Sequence, residues 1–331
     1  MPPTKSPAAT LAWTALKLAL CGAVICSIAF AVAVLGTTGT VTESHADITW
    51  FSPFERSNTD RFTRSLETLG HRDHRRYDLN GNVVFFSATT SRKQPQQLMA
   101  EYQEEFRRQG LNDEIFVDLS PEQRIDRRNA SLTGSIVPYL IDADRIVLRG
   151  VVPANNATDL EELAQVGDVA HNRHQLFKGH RHVEFLRPRG ARRTEILASW
   201  SDENFDYSKM IPGSQATGHV FDEAVPACPG CIRLTRFADD NPDDIDRTEI
   251  VFAGPHNLEM TRHFYHDALQ ARGWQRSPLN DALRPIEDHL GKPLTDAHSD
   301  RYLRDGQAMT LTLMPDEDSG MTLVFASLVG R

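Results

Sequence analysis

Two stretches of the chain carry the same order of apolar and polar positions. In the first, Val83-Val84-Phe85-Phe86-Ser87-Ala88 is followed by a polar break and then by Gln94 to Gly110, in which Leu98, Tyr102 and Phe106 recur every four residues. In the second, Glu249-Ile250-Val251-Phe252-Ala253-Gly254 leads through Pro255-His256-Asn257 into Leu258 to Gly273, with Leu258, Thr261, Tyr265 and Leu269 on one stripe. β-branched and aromatic runs predict buried strands, and a four-residue recurrence predicts an amphipathic helix. Gln109-Gly110-Leu111 matches Arg272-Gly273-Trp274. A glycine there takes the left-handed conformation that closes a helix, and the next apolar residue packs back on it.

Each stretch is followed later by an alternating pair of runs. His182–Leu186 turns through residues 187–193 into Thr194–Trp200, and Ala308–Leu313 turns through residues 315–320 into Met321–Ala326. Alternation of period two predicts hairpins with one face buried. The expected unit is therefore β-α-β-β, used twice. A single such unit has too few strands to stand alone, so the two copies are expected to pack as one pseudo-duplicated α+β domain. The first copy carries an insert from Asn112 to about His174, with a strand at Asp144–Val152 and a short helix after Thr158, where Glu161 completes a capping box.

The N-terminus changes the picture. Leu18 to Leu35 is a charge-free run of eighteen residues. As a helix it would span roughly 27 Å, close to a hydrocarbon core. The run is longer than the apolar region of a cleaved signal, and neither Cys21 nor Cys26 follows a small residue as a lipoprotein acceptor would. Lys5 and Lys17 precede it, and no Lys or Arg follows until Arg56, which predicts the N-terminus inside and the rest outside. The expected layout is a cytoplasmic tail and transmembrane helix over residues 1–36, a polar stalk over 37–80, the first unit with its insert over 81–202, a linker over 203–226 and the second unit over 227–331. The expected location is a bacterial inner membrane, crossed once, with the C-terminal part in the periplasm.

Composition narrows the partners. The 331 residues include 36 Lys and Arg against 45 Asp and Glu, a net charge of −9, which argues against nucleic acid. Membrane contact through residues 18–35 and a protein partner in the envelope are expected instead. The stretch from Val225 to Trp274, with Pro229-Gly230, Phe264-Tyr265 and Gly273-Trp274, resembles uncharacterised single-pass membrane-anchored bacterial envelope proteins. The resemblance implies a fold and an envelope setting and brings no catalytic residues.

Chemistry-bearing clusters are few. Cys228-Pro229-Gly230-Cys231 has redox spacing but leads into the alternating run Ile232–Phe237 rather than a helix, so a structural disulfide is the expectation. His171, His174, His180 and His182 fall within twelve residues, and alternate positions on a strand face one way. They are the candidate metal ligands, with Asp168 and Glu184 nearby. His263 and His266 read as a solvated helix face, and His71 and His74 sit among arginines that would repel a cation. Asp239, Asp240, Asp243, Asp244 and Asp246 read as a solvated turn. No phosphate loop, nucleophile elbow or dinucleotide fingerprint is present. The function expected is a membrane-anchored, non-enzymatic envelope scaffold or accessory protein with no cofactor. The alternative is a periplasmic metal-dependent enzyme built on the His171–His182 cluster.

Overall fold

The computed structural model describes residues 57–111, 134–154, 177–210, 225–240, 247–277, 297–316 and 320–330. Among them are three helices, α1 (Asn58–Thr68), α2 (Pro95–Arg108) and α3 (Leu258–Gln270). The twelve strands are β1 (Arg75–Leu79), β2 (Asn82–Ser91), β3 (Val137–Ile141), β4 (Arg145–Pro153), β5 (Phe177–Leu186), β6 (Thr194–Ser201), β7 (Ile232–Asp239), β8 (Arg247–Gly254), β9 (Gln275–Ser277), β10 (His298–Arg304), β11 (Gln307–Asp316) and β12 (Met321–Val329). The chain divides into two compact units. One holds the described residues up to Tyr77 and Asn82–Tyr207, the other Asp78–Gly81 and Ser208 onward.

The α+β expectation is corrected. The protein is mostly antiparallel β-sheet, because strands flanking each expected β-α-β-β core complete a much wider sheet. In the N-terminal unit the order is β1-β2-β6-β5-β4-β3, and in the C-terminal unit β7-β8-β12-β11-β10-β9. Each unit thus has the connectivity β-β-α-β-β-β-β. The expected transmembrane helix and the inner-membrane location are corrected as well. Among the described residues no helix is long and apolar enough to cross a membrane. The longest, α2, has 14 residues, against the roughly 20 a bilayer requires. Leu18–Leu35 itself lies outside the described residues, as do Thr158, Glu161, His171 and His174. Residues 57–80 of the segment read as a polar stalk form α1 and β1, with Phe62, Leu66 and Tyr77 fully buried.

The helices start and stop as their sequences dictate. The Ser57 hydroxyl accepts from the Asp60 backbone N–H at 3.1 Å, and Asn257 Oδ1 accepts from the Met260 backbone N–H at 2.9 Å. Pro95 occupies the first turn of α2, where its missing N–H costs nothing. Gly110 and Gly273 close α2 and α3 at φ +67° and +81°. The following amide then returns, Leu111 N–H to Phe106 carbonyl at 2.8 Å and Trp274 N–H to Leu269 carbonyl at 3.0 Å.

Strand pairing follows the same register within each unit. One rung reads Phe85-Trp200-Arg181-Gly150 across β2, β6, β5 and β4, and its counterpart reads Thr248-Leu328-Met309-Tyr302 across β8, β12, β11 and β10. The next on the same face is Ser87-Ala198-Val183-Leu148 against Ile250-Ala326-Leu311-Asp300, and the third is Thr89-Ile196-Phe185-Ile146 against Phe252-Val324-Leu313-His298. Tyr102 and Tyr265 are both fully buried, each within its own unit's core.

The N-terminal unit has two additions. Helix α1 lays Phe62 against Phe106 and Trp200, ring centroids 5.7 and 5.9 Å apart. Its first turn accepts from the buried Arg181 guanidinium, Nε to Asn58 Oδ1 at 3.1 Å and Nη2 to Thr59 Oγ1 at 2.6 Å. Nη1 donates to the His180 and Ser201 carbonyls at 2.7 and 2.8 Å. The second addition is a closed polar chain. The Ser87 hydroxyl donates to the Asp73 carbonyl at 2.6 Å, so its oxygen accepts from His71 Nδ1–H at 2.9 Å. His71 Nε2 then accepts the Tyr102 hydroxyl proton at 2.8 Å. Burial lowers the His71 pKa to about 4 and raises that of Tyr102, which keeps both neutral.

Candidate functional site

The C-terminal unit carries a charged depression of about 240 Å³ lined by Glu259, Arg262, His263, His266, Arg276 and Asp300. Helix α3 supplies the first four, because residues 259, 262, 263 and 266 fall on one helical face. The opposite stripe of Thr261, Tyr265 and Leu269 is buried. The sheet supplies the floor. Asp300 and Tyr302 share a face of β10, and Arg276 on the three-residue strand β9 pairs with Tyr302.

Asp300 is nearly enclosed, and both its oxygens are committed. Oδ1 accepts from Arg276 Nε at 2.7 Å and faces Arg276 Nη2 at 2.5 Å, while Oδ2 contacts His298 Nε2 at 2.9 Å. Such charge-assisted contacts fix the guanidinium plane as well as the carboxylate. Burial, then the Asp300 charge, pushes the neighbouring Tyr302 hydroxyl up to about 12. The remaining ion pairs are loose. Arg262 lies 3.7 Å from Glu259, whose side chain is 81 % exposed, and His263 lies 3.5 Å from Asp267. The arrangement presents guanidinium and imidazole donors on a preset frame. It suits binding of a polar or anionic group.

Sequence reasoning set His263 and His266 aside as solvated and did not single out Arg262, Arg276, His298 or Asp300. The available signal was the register between copies: Ile146 and Leu148 belong to the N-terminal core, and their counterparts are His298 and Asp300. Reading it requires β4 and β10 to be matched, and the shorter β-α-β-β frame omits both.

Of the expected metal ligands, His180 and His182 stand on one face of β5 and are fully buried. Their ring nitrogens have no hydrogen-bond partner, and His182 Nε2 lies 3.6 Å from Glu184 Oε2. Burial, aided by the Arg149 charge, pulls both imidazoles down, His180 to about 3. The Phe205 ring lies edge-on to His180 at 5.4 Å. Among the described residues no group of three or more His, Cys, Asp or Glu is placed to hold a metal ion. His74 packs against the stacked rings of Phe85 and Trp200. Asp239 ends β7 and Asp240 follows it, and Asp243, Asp244 and Asp246 lie outside the described residues.

Cys228 and Cys231 are joined by a disulfide in the turn entering β7, their Cα atoms 5.1 Å apart. Gly230 takes φ +71° in that turn. Cys228 is buried among Val225, Tyr265 and Trp274. Gly254 on β8 leaves the sulfurs their room, since a Cβ there would collide with Cys231 Sγ. Burial raises the Tyr265 pKa, while the Cys228 backbone facing its hydroxyl acts the other way. No family model, curated protein or solved structure matches the chain.

Proposed function

We propose that this chain is a non-enzymatic scaffold or accessory protein. It is built from two copies of one β-β-α-β-β-β-β unit, and the charged depression of the C-terminal unit contacts a protein partner. One observation carries the reading. At matched rungs the N-terminal unit places Ile146 and Leu148 in its core, whereas the C-terminal unit places His298 and Asp300 beside an array of Arg and His on α3 and β9. A duplicated unit keeps one copy for packing and varies the other for recognition, since folding constrains the register more tightly than the chemistry at a given rung.

The test is capture from cells with the full chain and with Arg262→Glu/His266→Glu. Both substituted side chains lie outside the core, so the circular dichroism spectrum should be unchanged. Partners that stay with the parent chain should be lost from the double variant. An identical set captured by both would remove the depression from any role in partner contact.

A further inference from the structure

We infer that the depression of the C-terminal unit recognises carboxylate side chains of an acidic peptide segment on the partner. The inference rests on the reading that this surface contacts a protein.

The depression sets two arginines against two acids, but the pairing is uneven. Asp300 is fully used by Arg276 and His298, so its negative charge is answered within the wall. The other acid, Glu259, stands at the rim with its side chain 81 % exposed and holds Arg262 only at 3.7 Å. That separation exceeds a hydrogen bond. His266 has no ion pair among the described residues, and His263 leans toward Asp267 at 3.5 Å. Arg262, His266 and the outer edge of Arg276 are therefore donors awaiting an acceptor. A guanidinium fork fits a carboxylate in two parallel hydrogen bonds. Displacing Glu259 costs little because an exposed pair contributes little.

Size narrows the ligand. A depression of about 240 Å³ is smaller than the pockets that enclose drug-sized ligands and cofactors, roughly 300–1,000 Å³. It admits one or two side chains. Long-range charge opposes the ligand. The chain as a whole carries −9 and repels acidic chains at long range. An acidic segment that binds does so through the local donors.

The experiment is calorimetric titration of the full chain with three probes at low ionic strength: a short peptide with two adjacent glutamates, the same peptide with glutamines, and inorganic phosphate. The glutamate peptide should bind at least tenfold more tightly than the glutamine peptide and than phosphate. Arg262→Gln and His266→Gln should each weaken it severalfold with the circular dichroism spectrum unchanged. Equal binding of the two peptides, preference for phosphate, or unaltered binding by both variants would overturn the inference. The two readings separate cleanly. Carboxylate binding that maps to Arg262 and His266, with partner capture indifferent to them, removes the partner-contact role alone. Capture that depends on them without glutamate preference removes the inference alone.

Discussion

The two units hold one backbone plan with two different interiors. At the first matched rung Arg181 lies across from Gly150 in one unit and Met309 across from Tyr302 in the other. A long side chain beside none is exchanged for two of middling and large size, as close packing demands when volume moves between neighbours. The buried tyrosines show the same substitution of means. Tyr102 gives its hydroxyl proton to His71, whereas Tyr265 turns its hydroxyl to the Cys228 backbone. Both partners precede the first strand of their unit. The Tyr102 end is closed by a hydrogen bond, whereas the buried Tyr265 hydroxyl has no partner at hydrogen-bond geometry among the described residues. Register, helix position and the closing glycine are held in common, and the chemistry at each rung is free to differ.

Exchanging residues between matched rungs should test this most severely. Leu148→Asp imposes the C-terminal residue on the N-terminal core, where the neighbouring Arg181 already donates to four acceptors, and an uncompensated buried charge costs about 3–5 kcal/mol. Chemical denaturation should show that loss. The reverse change, Asp300→Leu, should cost only about 1 kcal/mol because Arg276 is exposed and keeps water. Equal losses would break the assignment of one rung to core and the other to recognition.

Truncating the paired tyrosines comes next. Tyr102→Ala and Tyr265→Ala should each cost about 3–4 kcal/mol, as deletion of a buried ring does, and each should lower the melting temperature. A loss confined to one would break their equivalence.

Acid should then distinguish the units through His71. Its folded pKa, about 4, lies below the ordinary value of 6.5. The unfolded chain binds the proton more readily between these values, so stability rises with pH there. The contribution is fully present above about 6.5 and is lost as pH falls toward 4, about 3 kcal/mol in all. Denaturation midpoints from pH 7 to pH 4.5 should fall, and His71→Gln should reduce the fall without abolishing it, because the buried His180 and His182 are lowered as well. A slope unaffected by that change would place the acid sensitivity elsewhere.

The smallest effect is expected at the disulfide. It closes a very short loop, so chain entropy assigns it at most about 2 kcal/mol. The double serine variant should fold and keep partner binding, which a thiol titration paired with a capture assay would check. Loss of binding in a folded variant would restore a redox role.

What the sequence disclosed and withheld follows from the same contrast. Strand β2, helix α2 and the Gly-apolar closure were legible because their burial stamps a period on the chain. The matching elements β8 and α3 repeat it 163 positions later, as Tyr102 and Tyr265 show. Strands β1, β9 and β10 were not legible. Arg-Arg-Tyr-Asp-Leu, Gln-Arg-Ser and His-Ser-Asp-Arg-Tyr-Leu-Arg are polar on one or both faces and short, so tertiary pairing rather than local preference makes them strands. Their omission turned a wide antiparallel sheet into an expected α+β unit. It also hid Asp300, since a strand that is not recognised cannot be matched rung by rung. His180 and His182 were correctly placed on one face, but their burial is invisible in a run that also contains Lys178, Arg181 and Glu184.

The Arg181 anchorage sets where the chain can be shortened. Two of the four acceptors around that guanidinium belong to Asn58 and Thr59, and burial already draws its pKa down to about 10. A fragment beginning after Gly70 would keep β5 and every strand around it, yet it would take away half the acceptors of that guanidinium and uncover the core that Phe62 and Leu66 complete. Helix α1 is therefore not an ornament on the first unit. The smallest autonomous piece begins no later than Ser57, although the sheet itself begins at Arg75.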